Sequence, residues 1–149
     1  MNSFPVFVNL KEKPVTVIGG GDIALRKVKL LIKAGPKITV ISKVVCKDLK
    51  ELLNKKGHKI LIKNFEEDDL KAPILIIAAT SDAKTNKRIS IYAQKKNILI
   101  NVVDQPRLCT FTMGSIVERD SLVISISSGG KAPVLVRNLR EKFEVLIPN

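Results

Sequence analysis

Short apolar runs alternate with amphipathic stretches along the first two thirds of the chain, and this alternation constrains the fold more than any other feature. The runs lie at Val15–Ile18, Ile38–Ile41, Ile60–Ile62, Ile74–Ala79 and Ile98–Val103. Strands that are apolar on both faces need cover on both sides, and helical connections supply that cover. The pattern therefore predicts an α/β fold with a doubly wound parallel sheet.

The connections between the runs have the spacing of helices that pack on a sheet. Apolar residues recur at helical intervals from Ala24 to Ile32, around Leu49–Leu53, and through Ile89 and Ala93. Thr80-Ser81-Asp82 supplies residue types that begin helices, and it precedes the third of these stretches. Three of the runs are thus followed by a helix able to cross over to the next parallel strand, and the polar connection EEDDLK follows the third run.

The segment VTVIGGGDIALRK, Val15–Lys27, places a glycine turn directly between a strand and a helix. Gly19, Gly21 and Ala24 fit the G-x-G-x-x-[GA] spacing, in which the glycines permit a tight turn and a close approach to a pyrophosphate. The helix N terminus adds unpaired N–H groups and a partial positive charge. This context predicts a dinucleotide site, and a simple strand-to-helix corner is the alternative.

The residue that normally selects the cofactor is missing. An acidic residue about twenty positions beyond the glycines usually binds the adenosine ribose, but the second strand ends in Ser42-Lys43. On electrostatics alone, a hydroxyl and a lysine favour the 2′-phosphate of NADP. Thr80, at the end of a later strand, suits either a contact to a ribose or phosphate or a helix cap.

Two further polar features follow the later strands. Asp104, in NVVDQP, comes directly after an apolar strand, where a carboxylate can take a proton or hold a substrate nitrogen or a metal. A turn-forming aspartate explains it slightly better by spacing alone. The segment SSGGKAP suits either an anion or an ordinary turn before a helix, and its candidate residues are Ser127, Ser128, Gly129 and Lys131.

The pattern changes after Pro106, and a smaller unit is predicted there. Met113–Glu118 and Leu122–Ile126 have the composition of a β-hairpin, and a last helix carries an apolar stripe of Val136, Leu139, Phe143 and Leu146. So short a segment cannot bury a core alone. We therefore predict a Rossmann-type dinucleotide-binding domain at residues 1–112, followed by a small α+β dimerisation segment at residues 113–149.

Charge and composition narrow the class of partner. Lys plus Arg number 26 against 14 Asp plus Glu, so the formal charge is +12, which favours a nucleic acid, a phosphorylated ligand or a polycarboxylate. A lysine-rich habit of the source organism explains this charge equally well. Because the basic residues are dispersed and aromatic residues are few, we do not predict a nucleic-acid platform.

Other sequence features exclude several classes of site. No apolar run approaches the roughly 18 residues of a membrane span, and the N terminus lacks the order of a secretory signal, so we expect a cytoplasmic protein with no membrane partner. Cys46 and Cys109 are predicted to be packed or incidental thiols, and His58 a solvated turn residue. These three residues provide no set of metal ligands.

Four separated motifs resemble the precorrin-2 dehydrogenase family, the dehydrogenase module of siroheme synthases. They are FPVFVNLKEKPVTVIGGGDIALRK, LIIAATSDAKTN, NVVDQP and SISSGGKAPVLVRNLREK, and the resemblance as a whole extends from Phe4 to about Pro148. The resemblance implies a homodimer that oxidises precorrin-2, a tetrapyrrole polycarboxylate, to sirohydrochlorin. It also implies NAD as the cofactor, because the family is associated with NAD although it commonly lacks the acidic residue after its second strand.

The resemblance implies roles for individual residues. Asp104 would be the catalytic residue. The cofactor contacts would be Gly19, Gly20, Gly21, Asp22, Ile23, Ala24, Ser42, Lys43, Val44 and Thr80, and the substrate contacts Ser127, Ser128, Gly129 and Lys131.

Departures from the family leave other functions open. Gly114 stands where the family more often has proline, and we expect no methyltransferase module of the kind found in fused siroheme synthases. Iron insertion into the product therefore ranks behind dehydrogenation. The main alternative is a non-enzymatic NAD(H)-sensing domain of the kind that gates potassium channels, which has no use for NVVDQP or SSGGKAP. A nucleic-acid-binding redox sensor ranks third.

Overall fold

The computed structural model describes residues 3–147 of the chain. Phe7–Phe111 form one compact unit, and Thr112 onward, with the described residues up to Val6, forms another. The predicted boundary between residues 112 and 113 stays a prediction of domain organisation.

The first unit contains, within its described residues, a five-stranded parallel sheet in the order β3-β2-β1-β4-β5. Its strands are β1 (Pro14–Ile18), β2 (Lys37–Ile41), β3 (Lys59–Leu61), β4 (Leu75–Ala78) and β5 (Leu99–Val102). Its helices are α1 (Asp22–Lys33), α2 (Lys47–Lys55) and α3 (Ala83–Lys95). The predicted doubly wound α/β fold is confirmed.

The strand order reverses between β1 and β4, and this reversal determines where the helices lie. With right-handed crossovers, α1 and α2 pack on one face of the sheet and α3 on the other; α1 and α2 indeed contact each other. β4 is buried at all four positions because both of its faces are covered. The core side chains that the helices supply are Ala24, Leu25, Val28, Leu31, Leu49, Leu53, Ile89 and Ala93.

The chain after β5 runs back along the edge of the sheet. The Ile100 N–H donates to Thr110 Oγ1 (3.0 Å), and the Thr110 N–H donates to the Ile100 carbonyl (2.9 Å). The Asn101 Nδ2 donates to the Phe111 carbonyl (3.1 Å). These bonds occupy backbone groups that an edge strand would otherwise expose. They also fix the segment that begins with Asp104.

The second unit consists of a hairpin and a helix. β6 (Ser115–Arg119) pairs antiparallel with β7 (Leu122–Ile126), and α4 (Pro133–Leu146) follows. The Arg119 guanidinium donates to the carbonyls of Ile147 (3.1 Å) and Glu144 (3.2 Å), which joins the hairpin to the end of the helix. The predicted stripe of α4 is only half-buried at its first three positions, and Leu146 is 73% exposed.

Gly114, which departs from the family pattern, lies against β7. A Cβ at this position would lie 2.6 Å from Ser125 Oγ and 2.7 Å from the Ile126 carbonyl oxygen. The backbone path here therefore requires glycine.

Among the described residues, no helix has both the length and the apolar composition that crossing a membrane requires.

His58 is half-buried, and the expectation of a solvated turn residue is wrong. Its Nδ1 accepts a long hydrogen bond from the Ile38 N–H (3.4 Å) at the start of β2. Burial, and next the charge of Lys56, lower the pKa of His58 below its ordinary value of 6.5. The neutral ring is thus the form that the fold accommodates.

This lowered pKa predicts a loss of stability in mild acid. Because the unfolded chain binds the proton more readily, the free energy of unfolding should be highest above pH 6.5 and should fall as the pH drops through that value toward the folded pKa. Urea unfolding at about pH 7.5 and about pH 5.5 measures the change. His58→Asn keeps an acceptor but cannot titrate, so its unfolding should depend less on pH. If the free energy of unfolding changes equally with pH in the two proteins, His58 is not the group responsible for the pH dependence.

Candidate functional site

A cavity of about 1090 Å³ lies at the carboxyl ends of the parallel strands of the first unit. Ligands of open α/β sheets bind at this edge, where the strand order reverses. The turns after β1, β2, β4 and β5 all contribute residues to the cavity, and so does the segment after β3. One space therefore brings together features that are far apart in the sequence.

The glycine turn combines two crowded positions with an open one. A Cβ on Gly19 would lie 2.3 Å from the Ala79 carbonyl oxygen, and a Cβ on Gly20 would lie 2.1 Å from the Val44 carbonyl oxygen. A Cβ on Gly21 would have no atom within 4 Å. Gly19 and Gly20 are therefore required by the protein's own packing, whereas Gly21 borders free space in the cavity.

The N terminus of α1 has no side-chain cap and borders the cavity, so its N–H groups are available to an anion. Gly21 is the N-cap, and no side chain caps the helix. The first-turn N–H groups thus lack the side-chain acceptor that Ser, Thr, Asp or Asn would provide. Gly21, Asp22 and Ile23 line the cavity, so a phosphate there could bind these groups. The glycine turn fits a dinucleotide in the way that the motif predicts.

The loop after β2 is tied to the glycine turn. Ser42 Oγ donates to the Val44 carbonyl (2.8 Å), and the Cys46 N–H donates to the Gly20 carbonyl (2.8 Å). The Ser42 hydroxyl proton is thus used within the loop. Lys43 and Val44 are exposed beside the cavity.

A second lysine near this edge is neutralised by carboxylates. Lys63 Nζ lies 3.0 Å from Asp69 Oδ1 and 3.1 Å from Glu66 Oε2. The hydrogen bond to Asp69, and then the one to Glu66, raise the pKa of Lys63. Lys63 and Glu66 both line the cavity. The cavity wall after β3 therefore carries a carboxylate as well as a cation.

Thr80 belongs to an internal network. Its hydroxyl lies 2.7 Å from Asn86 Oδ1, and Asn86 Nδ2 donates to the Thr80 carbonyl (3.0 Å). The cap of α3 is Asp82, whose carboxylate accepts from the N–H groups of Lys84 (3.1 Å) and Thr85 (3.2 Å). Thr80 lines the cavity, but its proton is held by the buried Asn86.

Asp104 is exposed, lines the cavity, and has a φ of 59°. Aspartate and asparagine enter this left-handed region more readily than other side-chain-bearing residues. The turn-forming and chemical roles of Asp104 are therefore compatible.

Burial, and next Arg26, lower the pKa of Lys27, while Asp104 and Cys109 oppose this shift. Lys27 is thus a half-buried cation that interacts with both groups.

The cavity collects most, but not all, of the predicted site residues. Ala24 does not line it; this residue is fully buried and serves the close packing of α1 on the sheet. The predicted substrate residues lie in the turn between β7 and α4 of the second unit. There Ser127 Oγ accepts from the Gly129 N–H (3.2 Å) and Ser128 Oγ accepts from the Ala132 N–H (3.0 Å). Their contact with a substrate stays a prediction.

Sequence reasoning missed the wall supplied by the segment after β3, by the end of the turn before α3 and by α3 itself. Its members are Lys63, Asn64, Phe65, Glu66, Ser81, Asp82, Thr85 and Arg88. Arg88 donates to the Phe65 carbonyl (3.1 Å) and lies 5.5 Å from the centre of its ring. A signal was available only for the start of the segment after β3, because that strand ends at the same edge of the sheet as the others. Among the described residues, no three His, Cys, Asp or Glu side chains are grouped as metal ligands.

Comparison with known proteins places this geometry in a family. A family model described as putative NAD(P)-binding matches residues 6–115. The siroheme synthase of Vesicomyosocius okutanii is 47% identical over 149 residues, which are 100% of this chain and 32% of the relative. The siroheme synthase of Methylobacillus flagellatus is 47% identical over 148 residues, 99% of this chain and 32% of the relative. The chain thus spans about a third of the length of these curated relatives.

A solved structure agrees with the sequence matches. The structure titled SirC, precorrin-2 dehydrogenase superposes with a TM-score of 0.83 at 27% identity, covering 98% of this chain and 72% of that one. The family description bears out the predicted nicotinamide cofactor. This chain therefore belongs to the putative NAD(P)-binding family, as its resemblance to the precorrin-2 dehydrogenase module indicated.

Proposed function

We propose that this chain oxidises precorrin-2 to sirohydrochlorin with NAD in siroheme biosynthesis. The observation that carries the proposal is that one cavity contains both the open glycine Gly21 and the carboxylate of Asp104. The similarity to a precorrin-2 dehydrogenase and to siroheme synthases supplies the substrate class. A potassium-channel type of sensor is not favoured, because the matched relatives are siroheme synthases.

The charges around the cavity support NAD rather than NADP. A 2′-phosphate needs free cations and hydroxyl donors at the end of β2. The Ser42 hydroxyl is bonded to the Val44 carbonyl, and Lys63 is paired with two carboxylates. The carboxylate of Glu66 in the cavity wall would repel a further negative charge. Of the two residues whose chemistry favoured NADP, Ser42 and Lys43, only Lys43 keeps a group that could bind a 2′-phosphate.

The reaction removes one hydride and one proton from the substrate. NAD, when bound, supplies the hydride acceptor. The glycine turn and the N terminus of α1 would hold the pyrophosphate, and Gly19 through Ile23, Ser42 through Val44 and Thr80 would surround the rest of the cofactor. The main task of the protein is to position the reacting ring carbon. Asp104 is the carboxylate at the β5 end of the cavity, and we assign to it the acceptance of the proton.

The other features of the chain are consistent with a polycarboxylate substrate and a homodimer. The formal charge of +12 attracts such a substrate, and Ser127, Ser128, Gly129 and Lys131 would contact it. α4 exposes Val134, Leu135, Val145 and Leu146 at 56–84%. Apolar side chains so exposed on one short helix suit burial against a second copy. We place this homodimer in the cytoplasm.

Replacing Gly21 tests the cofactor site without damaging the fold. Gly21 has a φ of −88° and a ψ of −169°, so a serine there can cap α1 with its own oxygen. Gly21→Ser should therefore unfold no more easily than wild type. Its side chain should compete with the phosphate and raise the Kd for NAD about tenfold, or about 1.4 kcal/mol. Titration calorimetry and urea unfolding measure the two effects.

Gly20→Ala is the matched control for stability, because it adds a side chain at the neighbouring position, where the protein itself leaves no room. Its Cβ would collide with the Val44 carbonyl, so it should lose about 1–3 kcal/mol of stability. If Gly21→Ser binds NAD as tightly as wild type, the pyrophosphate does not lie at this turn.

Asp104→Asn tests the role of the carboxylate. Asparagine tolerates the positive φ of this position, so the backbone should keep its path while the proton acceptor is lost. We expect kcat for anaerobic precorrin-2 oxidation, followed as NADH formation, to fall about 10²–10⁴-fold, with the Kd for NAD unchanged. Asp104→Gly, which also suits the backbone, should be equally slow. Full turnover by Asp104→Asn would make Asp104 a turn residue only.

A further inference from the structure

We propose that Cys109 is a positioning residue for the dehydrogenation, because its sulfur closes the turn that presents Asp104. The inference rests on the proposed function, which makes Asp104 the proton acceptor. Cys109 does not line the cavity, so it acts through the turn and not on the substrate.

The sulfur contacts both ends of the Asp104 turn. The Val102 N–H donates to Cys109 Sγ (3.1 Å), and Sγ lies 3.3 Å from the Val102 carbonyl oxygen and 3.4 Å from the Gln105 carbonyl oxygen. Within the turn, the Gln105 N–H donates to the Val102 carbonyl (3.2 Å). The thiol thus bridges the residues that immediately precede and follow Val103-Asp104.

Asp104 depends on such support because no hydrogen bond holds its carboxylate, which interacts with Lys27 only through charge. Its φ of 59° is unfavourable for a residue with a Cβ, and such conformations persist when surrounding contacts enforce them. In the described part of the chain, the exposed carboxylate has no hydrogen-bond partner of its own. The backbone turn therefore sets where the side chain starts, and the only other influence that the described residues show on it is the charge of Lys27.

Cys109 is itself anchored to the core. Its N–H donates to the Pro106 carbonyl (3.1 Å), and the next residue, Thr110, is bonded to Ile100 of β5. On the other side, the hydroxyl of the fully buried Ser90 in α3 donates to the Leu108 carbonyl (2.7 Å). A rigid path therefore leads from α3 and β5 through the sulfur to the Asp104 turn.

Two substitutions at Cys109 separate these contacts from side-chain bulk. Cys109→Ala removes the acceptor for the Val102 N–H and the donor to the carbonyls. Cys109→Ser keeps a group that both accepts and donates, although on a shorter bond. Serine should therefore rescue part of what alanine loses.

Amide exchange tests the positioning directly, without any substrate. In the full chain with NAD bound, Cys109→Ala should speed exchange of the Val102 and Gln105 amides about tenfold, equivalent to about 1.4 kcal/mol of local opening. Cys109→Ser should lie between alanine and wild type. Wild-type exchange rates in Cys109→Ala would overturn the proposal.

Kinetics tests whether positioning matters for turnover. A displacement near 1 Å can cost about 100-fold, so Cys109→Ala should lower kcat about 10- to 100-fold while the Kd for NAD stays at the wild-type value. Leu53→Ala is the control for general loss of stability, because Leu53 is fully buried in α2, which packs on α1 and β3 and not on residues 102–109. It should unfold more easily yet keep its kcat.

A double variant distinguishes action through Asp104 from an independent effect. In an Asp104→Asn background, Cys109→Ala should cause no further loss of kcat. Additive losses would overturn the proposal. If the wild-type chain does not oxidise precorrin-2, the proposed function fails, and the exchange experiment still decides whether the sulfur holds the turn.

Discussion

Close contact between backbones at Gly19 and Gly20 is the constraint on which the rest of the site depends. The carbonyl oxygens of Ala79 and Val44 occupy the space that Cβ atoms would need at these two glycines. This proximity brings the loops after β1, β2 and β4 to one edge of the sheet. Gly21 then begins α1 without a side-chain cap, and the helix terminus faces a cavity large enough for a dinucleotide.

Hydrogen bonds within the cavity wall decide which polar groups remain for ligands. Ser42 and Thr80 were the hydroxyl candidates for ligand contacts, but each hydroxyl is bonded to a neighbour, and Asp82 caps α3. Lys63 is likewise paired with carboxylates. The exposed carboxylate of Asp104 differs from these groups, because among the described residues it interacts with Lys27 through charge but forms no hydrogen bond. This contrast supports a chemical role for Asp104 and structural roles for the others.

Features of the fold and the candidate site could be predicted from the sequence where they depend on residues that are close together in the chain. The apolar runs, the glycine turn and Asp104 were found because each is contiguous and adjoins a strand. Phe65, Glu66 and Arg88 were missed because their proximity to the cavity depends on the path of the chain after β3 and on one face of α3. His58 was misjudged because its partner, the Ile38 N–H, is twenty residues away in the chain. The role of the Cys109 sulfur depends equally on contacts that no spacing rule encodes.

The bond from Ser42 to the Val44 carbonyl has a consequence for protein engineering. That carbonyl is also the group that presses against Gly20. A substitution at Ser42 that removes the hydroxyl in order to change the preferred nicotinamide coenzyme would release this carbonyl and loosen its packing on the phosphate turn. Coenzyme preference and pyrophosphate affinity therefore both depend on the Val44 carbonyl. A redesign of the coenzyme preference has to supply a new donor to that carbonyl.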